Sequence, residues 1–141
     1  MINGPNLNLL GTREPEVYGS ATLKDAENLA TDAAKALGHS VECFQSNHEG
    51  HLIDKIQSAS ASFDGIVLNA GGFTHTSVAL RDAVASIDIP VVELHVSNIH
   101  AREEFRHTSL LSSVCAGLII GFGIAGYALA VQALGGLIDG S

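Results

Sequence analysis

The feature that most constrains this chain is its alternation of short apolar runs with longer segments of helical periodicity. Leu23, Ala26, Ala30, Ala33, Ala34 and Leu37 recur at helical spacing. Ser20 or Thr22 stands ahead of them as a cap, and Gly38 follows as a stop. Ser40 to Gln45 alternates as a strand does. His48 to Ser62 reads as a helix with Leu52, Ile53 and Ile56 on one side. Gly65 to Leu68 is a short run of the buried-strand type. Thr76 is the expected cap of a helix carrying Leu80, Ala83, Val84 and Ile87 on one face. Pro90 to Val96 is another apolar strand. Strands separated by helices of about ten or more residues imply crossovers and a parallel sheet covered on both faces. In an open sheet of that kind, ligands bind beyond the carboxyl ends of the strands.

The segment Thr108 to Ile138 tests this reading, because it holds no Asp, Glu, Lys or Arg and is long enough to span a bilayer. Glycines at 117, 121, 123, 126, 135 and 136 interrupt it, and Ser112, Ser113 and Gln132 add polarity. It divides at Gly121-Phe122-Gly123 into a strand-like run, Val114 to Ile120, and a helix-like run, Ile124 to Leu137. A buried strand followed by a buried helix is therefore expected, and no membrane partner.

A length of 141 residues suits one domain, 1–141, with a sizeable core. Apolar residues at 46% and charged residues at 16% exclude disorder. Seven Lys and Arg against fifteen Asp and Glu give a net charge of -8. Such a chain has no general attraction for nucleic acid or anionic lipid, so an anionic ligand must be held by a few placed donors. Cys43 and Cys115 are far apart in apolar surroundings and read as reduced core thiols. With no secretory leader at the start, a cytoplasmic location is expected.

The stretches after the strands carry the chemistry. A loop of about 17 residues follows the first apolar residues, too long for a plain connection, and its part at about 12–20 reads as a lid. It holds Arg13 and Tyr18. After the third strand comes Asn69-Ala70-Gly71-Gly72-Phe73-Thr74-His75-Thr76-Ser77, whose glycines offer backbone N–H groups to an anion or a hydroxyl-rich ligand. After Val91-Val92 come Glu93 and His95, two apart and so on one face of a strand. A carboxylate there can set the tautomer and orientation of the imidazole. Arg102 and Arg106 follow, one helical turn apart.

These residues resemble the type II 3-dehydroquinate dehydratases. The likeness rests on Gly4-Pro5-Asn6-Leu7-Asn8, Arg13-Glu14-Pro15 with Tyr18-Gly19, and Asn69-Ala70-Gly71-Gly72 with Thr74-His75-Thr76-Ser77. Glu93-Leu94-His95 with Ser97-Asn98, and Arg102-Glu103-Glu104-Phe105-Arg106, complete it. It covers essentially the whole chain from Asn3 to the last helix. The resemblance implies an α/β flavodoxin-like three-layer sandwich with a five-stranded parallel sheet of order 2-1-3-4-5. It implies reversible dehydration of 3-dehydroquinate to 3-dehydroshikimate through an enolate, with no cofactor and no metal. It also implies a homo-oligomer, commonly a dodecamer built as a tetramer of trimers.

By resemblance Tyr18 is the base, and Arg13 beside it favours the phenolate. Asn6 helps stabilise the enolate. His95 is the general acid for the departing hydroxyl, with Glu93 holding it. Asn69, His75 and Arg106 bind ring hydroxyls, while Ser97 and the backbone at Val96 form the carboxylate site. Asp82 reaches into a neighbouring subunit's site. Arg81 and Arg102 are expected in supporting or subunit contacts. Lys24, Lys35 and Lys55 fall within or beside helices rather than after strands, which argues against Schiff-base chemistry.

His48-Glu49-Gly50-His51 is one residue short of a zinc-protease spacing, so no metal is expected there. His39, His51, His100 and His107 read as surface or turn residues. The rival to the enzyme is a non-enzymatic flavodoxin-like module binding a phosphate or nucleotide. The first loop lacks the glycine spacing of such modules, and a regulator has no use for both the Tyr18–Arg13 and Glu93–His95 pairs. In the family several more apolar residues usually precede the Asn-Gly-Pro motif. Here Met1 and Ile2 stand ahead of Asn3, so either the chain is trimmed at its start or its first strand is short. Whether the step serves aromatic biosynthesis through shikimate or quinate breakdown is left open.

Overall fold

The computed structural model describes residues 1–12, 16 and 19–140. Five strands form one parallel sheet: β1 (Ile2–Asn3), β2 (Phe44–Gln45), β3 (Ile66–Asn69), β4 (Val91–His95) and β5 (Gly117–Ile120). Their order is β2-β1-β3-β4-β5, as expected. Among the described residues, four helices cover it: α1 (Leu23–Ala36), α2 (Glu49–Ser62), α3 (Val78–Ala85) and α4 (Ala125–Ile138).

Period-two alternation in the strands divides the core in two. Ile2, Ile66, Leu68 and Val91 pack with Leu52, Ile56, Leu80 and Val84 of α2 and α3. Val67, Val92 and Leu94 pack with Ala26, Ala30 and Ala34 of α1 and with Tyr127, Ala130 and Val131 of α4. The alanine stripe of α1 lets its backbone approach α4 closely. These are the helical faces that the periodicity marks, except that Leu37 ends half outside at 44% exposure.

Local chemistry sets the helix starts. Thr22, the second of the two candidate caps, accepts from the Asp25 N–H, while Asp25 accepts from the Thr22 N–H, a reciprocal capping box. At α3 the cap is Ser77 rather than Thr76. Residues Gly71–His75 form a 3-10 turn, and the Thr76 N–H closes it on the Phe73 carbonyl. The helix therefore begins one residue later. Ser77 Oγ accepts from the Leu80 N–H at 2.9 Å and donates to Glu49 Oε2 of α2 at 2.5 Å.

Three strand expectations are corrected. β2 spans two residues instead of the six from Ser40 to Gln45, because its ladder partner β1 offers only Ile2 and Asn3. β5 begins at Gly117 rather than Val114; residues Ser112–Val114 form a 3-10 turn instead. It is also half-buried, not buried, because it is an edge strand with Leu118 facing outward at 44% exposure. Cys43 and Cys115 are free but half-buried rather than core. Burial pushes the Cys115 thiol up to about 12. Among the described residues, no helix is long and apolar enough to cross a membrane.

Candidate active site

The carboxyl ends of β1, β3 and β4 converge on a cleft of about 170 Å³. A larger cavity of about 340 Å³ lies at the amino end of the sheet, lined by Met1, Val41, Ala59, Ile66 and Leu134 among others. The smaller one gathers Asn6, Asn69, His75, His95, Arg102 and Arg106 at the strand ends.

The exit of β1 is tied to that of β3, where the Gly4 N–H donates to the Asn69 carbonyl at 2.8 Å. Glycine is required there, since a Cβ on Gly4 would sit 2.6 Å from the Ala70 oxygen. Asn6 then turns into the left-handed region at φ 70°, a conformation that asparagine tolerates better than most residues. Its N–H donates to Asn47 Oδ1 at 3.0 Å. Gln45 Nε2 donates to the Gly4 carbonyl and to Asn47 Oδ1, both at 3.1 Å. Gln45 at the end of β2 and Asn47 just beyond it thus hold the loop that presents Asn6.

β4 supplies the central pair. Glu93 and His95 share a sheet face, and His95 Nε2 lies 2.5 Å from Glu93 Oε2. Glu93 is 0% exposed, and its other oxygen accepts from Ser112 Oγ at 2.8 Å. Burial alone would push this carboxyl up, but the hydrogen bonds from His95 and Ser112 hold it below the usual carboxylate range. The carboxylate accepts a hydrogen bond from the Nε2 proton, which leaves Nδ1 as the ring atom that can exchange a proton. His75 stacks against His95 with ring centres 6.3 Å apart. Burial lowers the His75 pKa, and His95 and Arg106 add to this against the Thr108 carbonyl. A neutral His75 donates from Nδ1 to the Thr108 carbonyl at 2.9 Å, so its Nε2 is an acceptor.

Asn69, at the end of β3, is 4% exposed. Its Oδ1 accepts from the Gly71 N–H at 3.2 Å, and its Nδ2 donates to the Tyr127 hydroxyl at 3.0 Å. Val96 and Ser97 follow β4. Arg102 and Arg106 sit at the ends of two successive 3-10 turns, Ile99–Ala101 and Glu104–Arg106, rather than one helical turn apart. Arg102 reaches Ser97 Oγ at 3.4 Å, and Arg106 Nε donates to Glu103 Oε1 at 2.9 Å. Both guanidiniums line the cleft. Two of the four arginines of an acidic chain are therefore gathered at one small opening, as an anionic ligand requires.

Of the expected residues, Asn6, Asn69, His75, His95, Val96, Ser97 and Arg106 line this cleft, with Glu93 beneath. Tyr18 and Arg13 lie outside the described residues. Asp82 is exposed on α3, 3.7 Å from Arg81, and does not line the cleft. None of the three lysines lines it either. Sequence reasoning passed over Gln45, Asn47, Ser112 and Tyr127 and gave Arg102 a lesser place. Gln45 and Asn47 end and follow a strand, so the same rule marks them. Ser112 and Tyr127 carried no such signal.

The chain is similar to several known proteins. The sequence profile of the family Dehydroquinase class II matches residues 1–135. A 3-dehydroquinate dehydratase of Dinoroseobacter shibae is 60% identical over 134 residues, which is 95% of this chain and 89% of that protein. A catabolic 3-dehydroquinase of Aspergillus oryzae is 58% identical, covering 94% of this chain and 86% of its own. The crystal structure of a type II dehydroquinase from Butyrivibrio crossotus superposes with a TM-score of 0.92 at 50% identity, covering 94% and 93% of the two chains.

Proposed function

We infer the reaction from the premise that this chain belongs to the class II dehydroquinase family, a family of hydro-lyases. The chain removes water from 3-dehydroquinate to give 3-dehydroshikimate by way of an enolate. The buried Glu93–His95 pair at the cleft carries this reading, because a departing hydroxyl needs a placed proton donor.

Tyr18 removes the proton next to the ketone. A phenol has an ordinary pKa near ~10, so a neighbouring cation is needed, and Arg13 supplies it. The enolate charge is met by Asn6, which the left-handed turn and the Asn47 hydrogen bond hold in place. His95, oriented by Glu93, passes its Nδ1 proton to the leaving hydroxyl. His75 accepts a hydrogen bond from one ring hydroxyl through Nε2; Asn69 and Arg106 bind others. Ser97, the Val96 backbone and the adjacent Arg102 take the carboxylate. No imine step is needed, and the lysines stand away from the cleft.

Asp82 serves the site of a neighbouring subunit in a dodecamer of four trimers; its exposed place on α3, away from its own cleft, supports this. The two free thiols support a reducing, cytoplasmic setting. Incubation with 3-dehydroquinate, followed by ultraviolet absorbance of the conjugated product, tests the activity. Absence of turnover at high enzyme concentration overturns it.

A further inference from the structure

We propose that Tyr127, which never meets the substrate, positions Asn69 by dictating which end of its amide is turned toward the cleft. This rests on the reading of Asn69 as a hydroxyl ligand. Asn3 and Asn69 are register partners in the neighbouring parallel strands β1 and β3. Alternation puts both side chains on the sheet face covered by α4. Tyr127, in the first turn of α4, is 0% exposed, and its hydroxyl lies between them. It donates to Asn3 Oδ1 at 2.5 Å and accepts from Asn69 Nδ2 at 3.0 Å.

A phenol has a single hydrogen to give. With that hydrogen committed to Asn3, the oxygen toward Asn69 can only accept, so Nδ2 must face it. On the other side the Gly71 N–H can only donate, so Oδ1 must face that. A flipped amide would lose both bonds. One Nδ2 hydrogen remains, on a side chain that lines the cleft, and a ligand hydroxyl therefore meets a donor there. Burial raises the Tyr127 pKa well above its ordinary value, so the phenol keeps its proton and the polarity of this chain of bonds does not reverse.

The test is steady-state kinetics on the full chain with 3-dehydroquinate, using the parent, Tyr127→Phe, Asn69→Ala and the double variant. Tyr127→Phe is expected to raise KM about five- to tenfold and to change kcat less than about twofold. Asn69→Ala is expected to raise KM at least as much. The double variant should match Asn69→Ala, because the phenol acts through the amide and the effects do not multiply. Asn3→Leu is the companion variant. It keeps the Tyr127 ring, releases the phenol hydrogen and also removes Asn3 Nδ2, a buried donor without a partner among the described residues. The same rise in KM is expected.

A purely structural Tyr127 would lower the melting temperature while KM stayed within twofold, and that result overturns the proposal. So does a KM change that multiplies with that of Asn69→Ala, or an unchanged KM in Asn3→Leu. If Asn69→Ala itself leaves KM unchanged, the premise about Asn69 has failed. If the parent does not turn over, the reaction assignment has failed. Each takes the proposal down by a different, recognisable route.

Discussion

Replacing Glu93 with Gln keeps the shape of the side chain and removes its charge. The carboxylate is 0% exposed, accepts from Ser112 Oγ at 2.8 Å and lies 2.5 Å from His95 Nε2. A hydrogen bond to a charged group contributes about 1.5–3 kcal/mol, against about 1 kcal/mol for a neutral one. Losing the charge therefore removes about 0.5–2 kcal/mol of support for the ring that serves the leaving hydroxyl. At about 1.4 kcal/mol per tenfold, kcat should fall more than about twofold and up to about 30-fold. Ser112→Ala keeps the charge and the bond to His95 and deletes only a supporting donor, so a smaller fall in kcat than in Glu93→Gln is expected. Initial rates at saturating 3-dehydroquinate and neutral pH, read as formation of the conjugated product, measure both. The reasoning is refuted if Glu93→Gln stays within twofold of the parent. It is refuted equally if Ser112→Ala costs more than Glu93→Gln.

Tyr18→Phe should lower kcat by orders of magnitude while substrate still binds, as read by calorimetric titration; a rate within a few-fold of the parent would remove Tyr18 as the base. Leu80→Ala, at a fully buried position between α3 and the sheet, should cost about 2–5 kcal/mol in urea unfolding, and a loss below about 1 kcal/mol would contradict the packing described. The Glu93 carboxyl is held lower in the folded chain than its ordinary 4.5, so the folded state binds fewer protons between those two values. Its contribution to stability is complete above 4.5 and lost as pH falls through the lower folded value; Glu93→Gln should flatten the acid limb of the stability profile, and an equally steep limb in the variant would show that another group sets it.

Strands β3 and β4 were legible because each is a short, mostly apolar run whose alternation survives in the structure, while the strand order came from the resemblance. That same alternation correctly placed Glu93 and His95 on one face. What could not be read depends on partners. Ser40 to Cys43 has strand character, yet a ladder needs a neighbour, and β1 reaches only to Ile2. Thr76 and Ser77 are equally good caps in isolation; the 3-10 turn before them decides. Ser112 and Tyr127 hold Glu93 and Asn69 from elements 19 and 58 residues away in the chain, so no local spacing could reveal them. Tyr18 and Arg13 were legible only as a resemblance, which is why kinetics on Tyr18→Phe bears directly on the mechanism.

The residues lining the amino end of the sheet include none that line the cleft at the carboxyl end. In many enzymes the loosest part of the fold adjoins the reacting groups, and tightening it slows the reaction. Here substitutions at Val41, Ala59 or Leu134 act a full strand length away from the reacting groups. A lineage moving to warmer surroundings, or an engineer seeking a sturdier catalyst, can work from that end and leave Glu93, His95 and their neighbours as they are.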